Sequence, residues 1–358
     1  MGIIFIEDSS KSLYGGGQKI SSFCLKVLSS KYHINYTDFA DNPMLRSSLN
    51  NEGDLCLKLL NRKGKNIFDL LINTFFIVPN ILKFIKIFKF KNINVIYTTT
   101  KRSLLYGFIL RIIFDKPYVY HAHMLMQGSR YDFIILYLIK KANKCICVSE
   151  YVEMEFKKAG LANTCLLRNP LENELKEKKL RTDFSKINIA FAGSVIEIKG
   201  VNFLLDILKY NFVEGVMIHV FGEGPELDSF KNKYINSKNI VFHGFEKNII
   251  YYLDDLIHII ILPTIIPEAA PIIIQQAFSR GVPVITTNIG GQKIFIQNNY
   301  NGITVKPQNS FKIAKAVMKL KNDQKLYNQM SLNCLESSRK FEDLESFKIK
   351  LLDIINKT

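Results

Sequence analysis

Short apolar runs alternate along the chain with longer stretches in which polar positions recur every three or four residues. In the first half GIIFIE (2–7), NVIYTT (94–99), KPYVYHA (116–122) and KCICVS (144–149) read as strands. Each is apolar nearly throughout rather than at alternate positions, as expected of strands covered on both faces in a parallel sheet. A helix is predicted from about Gln18, behind a glycine-rich loop. The stretch RNPLENELKEKKLRTDFSK (168–186) breaks the rhythm, because it is highly charged and lacks an apolar stripe. The second half restarts it with INIAFAG (187–193), VMIHVFG (216–222), NIVFHGF (239–245), IHIIILP (257–263) and VPVITT (282–287). Helices are predicted between these runs from about Val201, Asn248 and Pro271; proline is tolerated in a first turn. No solenoid repeat or low-complexity tract is visible.

The expected fold class is therefore α/β, with two Rossmann-like domains whose parallel sheets face each other across a cleft. A length of 358 residues suits two such domains. The boundaries expected are 1–168, a linker at 169–186, a second domain at 187–342, and a helix at 343–358 that crosses back to the first domain. Ligands of open α/β sheets bind beyond the carboxyl ends of the strands, so the loops there are where chemistry is sought.

Composition narrows the partners. Hydrophobic residues make up 47% of the chain, enough for a packed core. The net charge is +16, and residues 1–180 hold 27 Lys and Arg against 15 Asp and Glu, a net of +12. That asymmetry suits an anionic membrane, a nucleic acid or a lipid-linked phosphate; solubility is the plain alternative. No nucleic-acid module is recognisable, so nucleic acid is not expected. The six cysteines are scattered without a CxxC pair, which predicts reduced thiols, a cytoplasmic setting and no metal. MGIIFIEDSS has no basic flank and does not read as a signal peptide. The most apolar window, residues 67–90, is interrupted by Asp69, Asn73, Pro79, Asn80 and Lys83 and does not predict a membrane span. Its Lys83, Lys86 and Lys89 form either a basic surface for a membrane or acceptor, or the solvated face of a core helix.

The candidate chemistry is densest in PTIIPEAAPIIIQQAFSRGVPVITTNIGG (263–291). Glu268 precedes a predicted helix, and Gln276 lies about five residues into it, roughly 7–8 Å along the axis. Between them stands a helix N-terminus, around Ala270, Pro271 and Ile272, whose unpaired amides suit a diphosphate. A nucleotide-sugar has that shape; a surface glutamate on an ordinary helix is the bland alternative.

This segment resembles the signature of the retaining glycosyltransferases of family 4, which have the GT-B fold. The resemblance covers most of the second half and, more weakly, the first. It implies that Glu268 contacts the donor sugar. Gln276 stands where the pattern has a second glutamate for the ribose, so an amide replaces a charge there. FAGSVIEIKG (191–200) resembles the phosphate loop of the same family. It implies diphosphate contacts from Gly193 and Lys199, with Ser194 in place of the usual arginine. VFGEGPE (220–226) and VFHGF (241–245) resemble the glycine turn and base loop, implying Gly222, Gly244 and Phe245. In the first half, LYGGGQKI (13–20) resembles a loop whose Gly16 and Gly17 approach the diphosphate or acceptor. KPYVYHAHM (116–124) places His123 where the family has a histidine facing the donor sugar. His121 reads as a buried structural histidine.

The resemblance implies a retaining, metal-independent hexosyltransferase with no cofactor beyond its nucleotide-sugar substrate, a UDP- or GDP-sugar. Glu268, His123 and Lys199 are its expected catalytic residues. It further implies a glycan or lipid-linked acceptor in cell-surface polysaccharide synthesis, at the cytoplasmic face of a membrane. Two other classes share the architecture: a nucleotide-sugar epimerase, and a non-catalytic subunit bound to a partner protein. The missing charges at Ser194 and Gln276 favour the second of these.

Overall fold

A computed structural model describes residues 2–8, 15–39, 42–49, 55–59, 75–88, 92–126, 132–172 and 182–358. Lys89, and residues 173–181 of the charged stretch, lie outside the described residues. The chain divides into two compact units: Met1–Asn169 with Glu345–Thr358, and Pro170–Leu344.

The first unit is built on seven parallel strands: β1 (Gly2–Glu7), β2 (His33–Asp38), β3 (Leu55–Lys58), β4 (Ile93–Thr98), β5 (Tyr118–Ala122), β6 (Lys144–Cys147) and β7 (Thr164–Leu166). Their order is β3-β2-β1-β4-β5-β6-β7, so the winding reverses between β1 and β4. The near-continuous apolar runs are the central strands, and every residue of β1 and β5 is buried. The strand β2, HINYTD, has no such run. Beyond the exposed His33 its polar residues are nonetheless buried; Thr37 donates to the Phe5 carbonyl at 3.0 Å and Asn35 to that of Ile3 at 3.5 Å. A polar side chain satisfied by the neighbouring strand hides from a hydropathy pattern. The first helix starts at Gly16, two residues before the expected Gln18. Gln18 is its third residue and accepts from the Gly15 amide at 3.0 Å, closing the first turn from inside the helix. The C-terminal helix Leu344–Asn356 ends against the first unit, where Tyr32 donates to Asn356 at 2.6 Å.

The second unit has six parallel strands: β8 (Ile187–Ala192), β9 (Val216–Phe221), β10 (Ile240–Gly244), β11 (Ile259–Leu262), β12 (Val284–Thr287) and β13 (Gly302–Val305). The order β10-β9-β8-β11-β12-β13 reverses between β8 and β11. Alternation along β8 divides the core. Ile187, Ile189 and Phe191 pack with Val201, Leu204 and Val317 on one face. Ala190 packs with Leu253, Ile274 and Phe278 on the other. The charged stretch begins inside this unit, since Leu171 donates to the Glu342 carbonyl at 2.7 Å.

One buried charge stands out in the first unit. Glu7 closes β1 at 2% exposure and accepts hydrogen bonds from Ser21 at 2.5 Å and Thr99 at 2.8 Å. Burial pushes its carboxyl up to about 7; the two hydroxyls pull the other way, and Asp38 nearby adds to the rise. A carboxyl raised in the folded state favours folding at low pH, and this contribution is lost as pH rises through about 7. Glu7→Gln should therefore unfold like the parent below pH 4.5 and become the more stable form by up to about 3 kcal/mol at pH 8. Parallel melting curves for the two proteins across that range would rule this out.

Candidate active site

In the second unit the expected donor residues sit at the carboxyl ends of the strands, on both sides of the point where the winding reverses. After β8 the chain makes a single 3-10 turn, Glu197–Lys199, ended by Gly200 at φ 67°. After β11 an irregular segment carries Glu268 into the helix Ile272–Phe278. Lys199 donates to the Glu268 carboxylate at 2.6 Å, and the two side chains are 25% and 17% exposed. Residues 69 apart in sequence thus form one ion pair across the switch point of the sheet. A lysine and a glutamate that remain partly open to solvent can exchange each other for a ligand bearing both a phosphate and hydroxyls.

Backbone contacts hold both members. A Cβ at Gly200 would stand 2.2 Å from the Pro263 carbonyl oxygen, so the turn bearing Lys199 lies directly on the strand end that leads to Glu268. Gly290 has φ 66°, and a Cβ there would meet the Glu268 amide nitrogen at 2.5 Å. Only glycine fits where two backbones approach this closely. Polar side chains complete the frame. Thr264 donates to the Ile198 carbonyl at 3.0 Å, and Thr287 donates to the Thr264 carbonyl at 2.8 Å. Gln292, fully buried, donates to Thr287 at 3.3 Å and accepts from the Glu268 amide at 3.4 Å. A closed circuit of contacts therefore runs from Lys199 through Glu268, Gln292, Thr287, Thr264 and Ile198 back to Lys199.

The other residues of the second unit fall around this pair. Gly193 and Gly222 follow β8 and β9, and the Gly222 amide donates to the Gly244 carbonyl at 2.6 Å. These three glycines thus meet at neighbouring strand ends. Ser194 is half-buried beside them, and Phe245 is exposed just beyond Gly244. Pro271 caps the helix Ile272–Phe278 in an extended conformation, Ala270 precedes it, and the Gln276 side chain is buried on its second turn. That helix has only seven residues, so its end supplies amides at Ala270 and Ile272 more than a long-range dipole.

In the first unit Gly16 and Gly17 open the helix Gly16–Ser29, behind the strand end of β1. A Cβ at Gly17 would touch that of His123 at 3.6 Å, so the glycine turn and the histidine meet. Burial lowers His123 to about 4, which keeps the imidazole neutral at physiological pH. Its Nε2 is buried without a hydrogen-bond partner among the described residues. His121 lies on Tyr97 through a 2.6 Å contact with Nδ1 and meets His123 at 4.3 Å between ring centroids, the rings tilted by 40°. It supports His123 from within the core. Lys83 is half-buried and donates to the Lys58 carbonyl at 2.8 Å, whereas Lys86 is exposed.

Sequence reasoning missed Glu7, Thr264 and Gln292. Glu7 was visible only as a charge ending an apolar strand, and the other two act through contacts between segments far apart in sequence. No group of three or more potential metal ligands occurs among the described residues.

Residues 172–335 match the sequence model of the family described as Glycosyl transferases group 1. The capsular polysaccharide biosynthesis glycosyltransferase CapM of Staphylococcus aureus is 23% identical over 285 residues, covering 72% of this chain and 74% of CapM. A UDP-Gal:alpha-D-GlcNAc-diphosphoundecaprenol alpha-1,3-galactosyltransferase of Escherichia coli is 24% identical over 211 residues, 56% of this chain and 54% of that enzyme. The crystal structure of Anabaena HepE in complex with UDP-glucose superposes with a TM-score of 0.81 at 18% identity, covering 100% of both chains. The fold is thus that of the GT-B enzymes, and the match to the family model falls within the second unit.

Proposed function

We propose that the protein transfers a sugar from a nucleotide-sugar to a glycan or lipid-linked acceptor in cell-surface polysaccharide synthesis, with retention of configuration. The observation that carries this reading is the Lys199–Glu268 pair, 2.6 Å apart at the switch point of the second sheet. In the reaction the bond between the sugar's anomeric carbon and the diphosphate breaks, and negative charge grows on the diphosphate. Lys199, already fixed by its backbone frame, neutralises that charge without the need for a metal. The glycine backbones at Gly193 and Gly222 and the amides near Ala270 and Ile272 take the remaining phosphate oxygens. Glu268 accepts hydrogen bonds from the sugar hydroxyls, and neutral His123, whose Nε2 has no partner among the described residues, is the first unit's own candidate hydrogen-bonding group. The acceptor hydroxyl attacks from the face the leaving group vacates and gives its proton to the departing phosphate oxygen. Gln276 holds the ribose as a neutral partner, and Gly244 and Phe245 meet the base.

The capsular and galactosyltransferase relatives support a polysaccharide pathway, and the HepE complex supports a uridine diphosphate donor. No helix among the described residues is long and apolar enough to cross a membrane. A lipid-linked acceptor would be met by the first unit lying against the cytoplasmic face. One further reading has its own support: Ser194 and Gln276 each lack a charge that the family pattern carries, as expected of a subunit that keeps the fold and binds a partner protein instead of a donor.

A thermal-shift panel with UDP, GDP, ADP, CMP and their sugar conjugates separates the two readings. One nucleoside diphosphate should stand out by raising the melting temperature. No shift with any of them would favour the non-catalytic subunit. The ion pair makes a sharper forecast. Glu268→Gln frees Lys199 from its partner, so nucleoside diphosphate binding should tighten while sugar transfer falls. Lys199→Met should weaken the same binding roughly tenfold or more, the loss of a charge-assisted contact. If calorimetry gave both variants the parental affinity, Lys199 would not touch the diphosphate. Finally, Ser194→Arg and Gln276→Glu should leave donor binding intact or tighter; weaker binding in both would remove those two positions from the donor site.

A further inference from the structure

The helices that cover the first sheet between β3 and β6 turn apolar side chains to solvent. In Asp132–Lys141 the exposed positions are Phe133, Ile134, Tyr137, Lys140 and Lys141, a spacing that puts all five on one face. Phe133 is 69% exposed and Tyr137 53%. The usual arrangement is reversed: the outer stripe is aromatic and aliphatic for its first two turns and then ends in two lysines. The neighbouring helix Lys101–Phe114 repeats the feature with exposed Ile112 and Ile113. It joins the first through the Phe108–Tyr137 ring contact at 6.3 Å. A third helix, Ile77–Phe88, exposes Val78 and Leu82 and then Lys86, and packs on the second through Asn80 and Phe84 against Tyr106. Three helices in a row thus share one chemistry. Right-handed crossovers running in one direction across the sheet put them on the same face.

The charges at this face are strongly one-sided. Lys86, Lys140 and Lys141 are exposed on these helices, and the Lys141 ammonium sits 5.5 Å over the Tyr137 ring. Among the described residues of these helices and their ends the acids are Asp132, paired with Lys101 at 3.7 Å, and Asp115 at a helix end. Single exposed apolar residues are ordinary, but a contiguous set edged by lysines is not. Aromatic rings with a polar tip, aliphatic side chains and long lysines together fit the boundary between acyl chains and anionic headgroups.

We infer that this face, built from Phe133, Ile134, Tyr137 and Ile112 and edged by Lys140 and Lys141, docks the first unit on an anionic lipid bilayer. It names a surface for the membrane placement proposed above. It stands on that surface alone, so failure of the nucleotide panel would leave it intact. Lys83, half-buried and bonded to the chain, is not part of it.

The test is sedimentation of the full chain with extruded vesicles of phosphatidylcholine, with and without phosphatidylglycerol. The parent protein should bind the anionic vesicles at low salt and lose much of that binding at high salt. Phe133→Ser with Tyr137→Ser should lower partitioning roughly tenfold or more. Lys140→Glu with Lys141→Glu should remove the preference for anionic lipid while sparing nucleotide binding and the melting temperature. Parental binding by both double variants would overturn the inference, as would no binding by the parent at low salt. A parent that sediments as a dimer without lipid, and becomes monomeric in the Phe133/Tyr137 variant, would assign the face to a second copy and overturn it too.

Discussion

The geometry of the second unit depends on how closely two loops approach each other at the ends of β8 and β11. The Lys199–Glu268 pair forms because nothing larger than a hydrogen stands on Gly200, whose Cβ position is 2.2 Å from the Pro263 carbonyl. Methylating that one carbon would force the turn away from the strand end and lengthen a 2.6 Å contact. The pair therefore follows from backbone proximity more than from attraction between the two charges. Partly exposed ion pairs contribute little to stability, and this one is open enough to solvent to fall in that class. Its surrounding circuit of threonine, glutamine and backbone contacts is much more elaborate than a surface ion pair needs. That excess fixes where the two charges stand before any ligand arrives, and preorganisation of this kind lets a charged group act without rearranging.

Both units bury titratable groups, His121 and Glu7 in the first and His219, His258 and Arg280 in the second. In the second, the ionic groups of the candidate site face outward from an apolar core, and the buried polar atoms around them are bonded to backbone. The first buries Glu7 and His121 at the strand ends, with His123 half-buried beside them, while exposing Phe133, Ile134 and Tyr137. Burial shifts these groups towards their neutral forms, with Glu7 up to about 7 and His123 down to about 4. Around neutrality the first unit thus offers an uncharged imidazole at His123 and a carboxyl near its midpoint at Glu7, and burial holds His219 of the second unit neutral in the same way, at about 4.

How much of this was legible in the sequence follows from what each feature rests on. The central strands could be read because a buried parallel strand needs continuous apolar residues; GIIFIE and INIAFA carry that requirement openly. HINYTD could not, since Asn35 and Thr37 are made compatible with burial by the carbonyls of a strand some thirty residues away. Lys199 and Glu268 were found through a family pattern, and their mutual contact was not, because a spacing of 69 residues carries no information about distance. Gln292 gave no signal at all. Its role exists only in the company of Thr287 and the Glu268 amide. Ser194 and Gln276 were legible as departures from the pattern. The structure places them beside the expected loops without supplying the charges they lack.

The lysines of residues 67–90 show where pattern reading misdirects. A three-residue spacing of Lys83, Lys86 and Lys89 drew attention to charge, yet Lys83 is bound to the Lys58 carbonyl and Lys89 lies outside the described residues. What the helix Ile77–Phe88 presents to solvent is Val78 and Leu82. Amphipathic reasoning assumes that the apolar side of a helix faces the core. Here the core side is satisfied by Asn80, Phe84 and Phe88, so a second apolar side is left over. The same surplus recurs on the two helices beside it. A sequence window cannot assign two apolar sides to one helix, because hydropathy counts residues without knowing which are already covered. Only the packing separates the residues that hold the unit together from those left exposed.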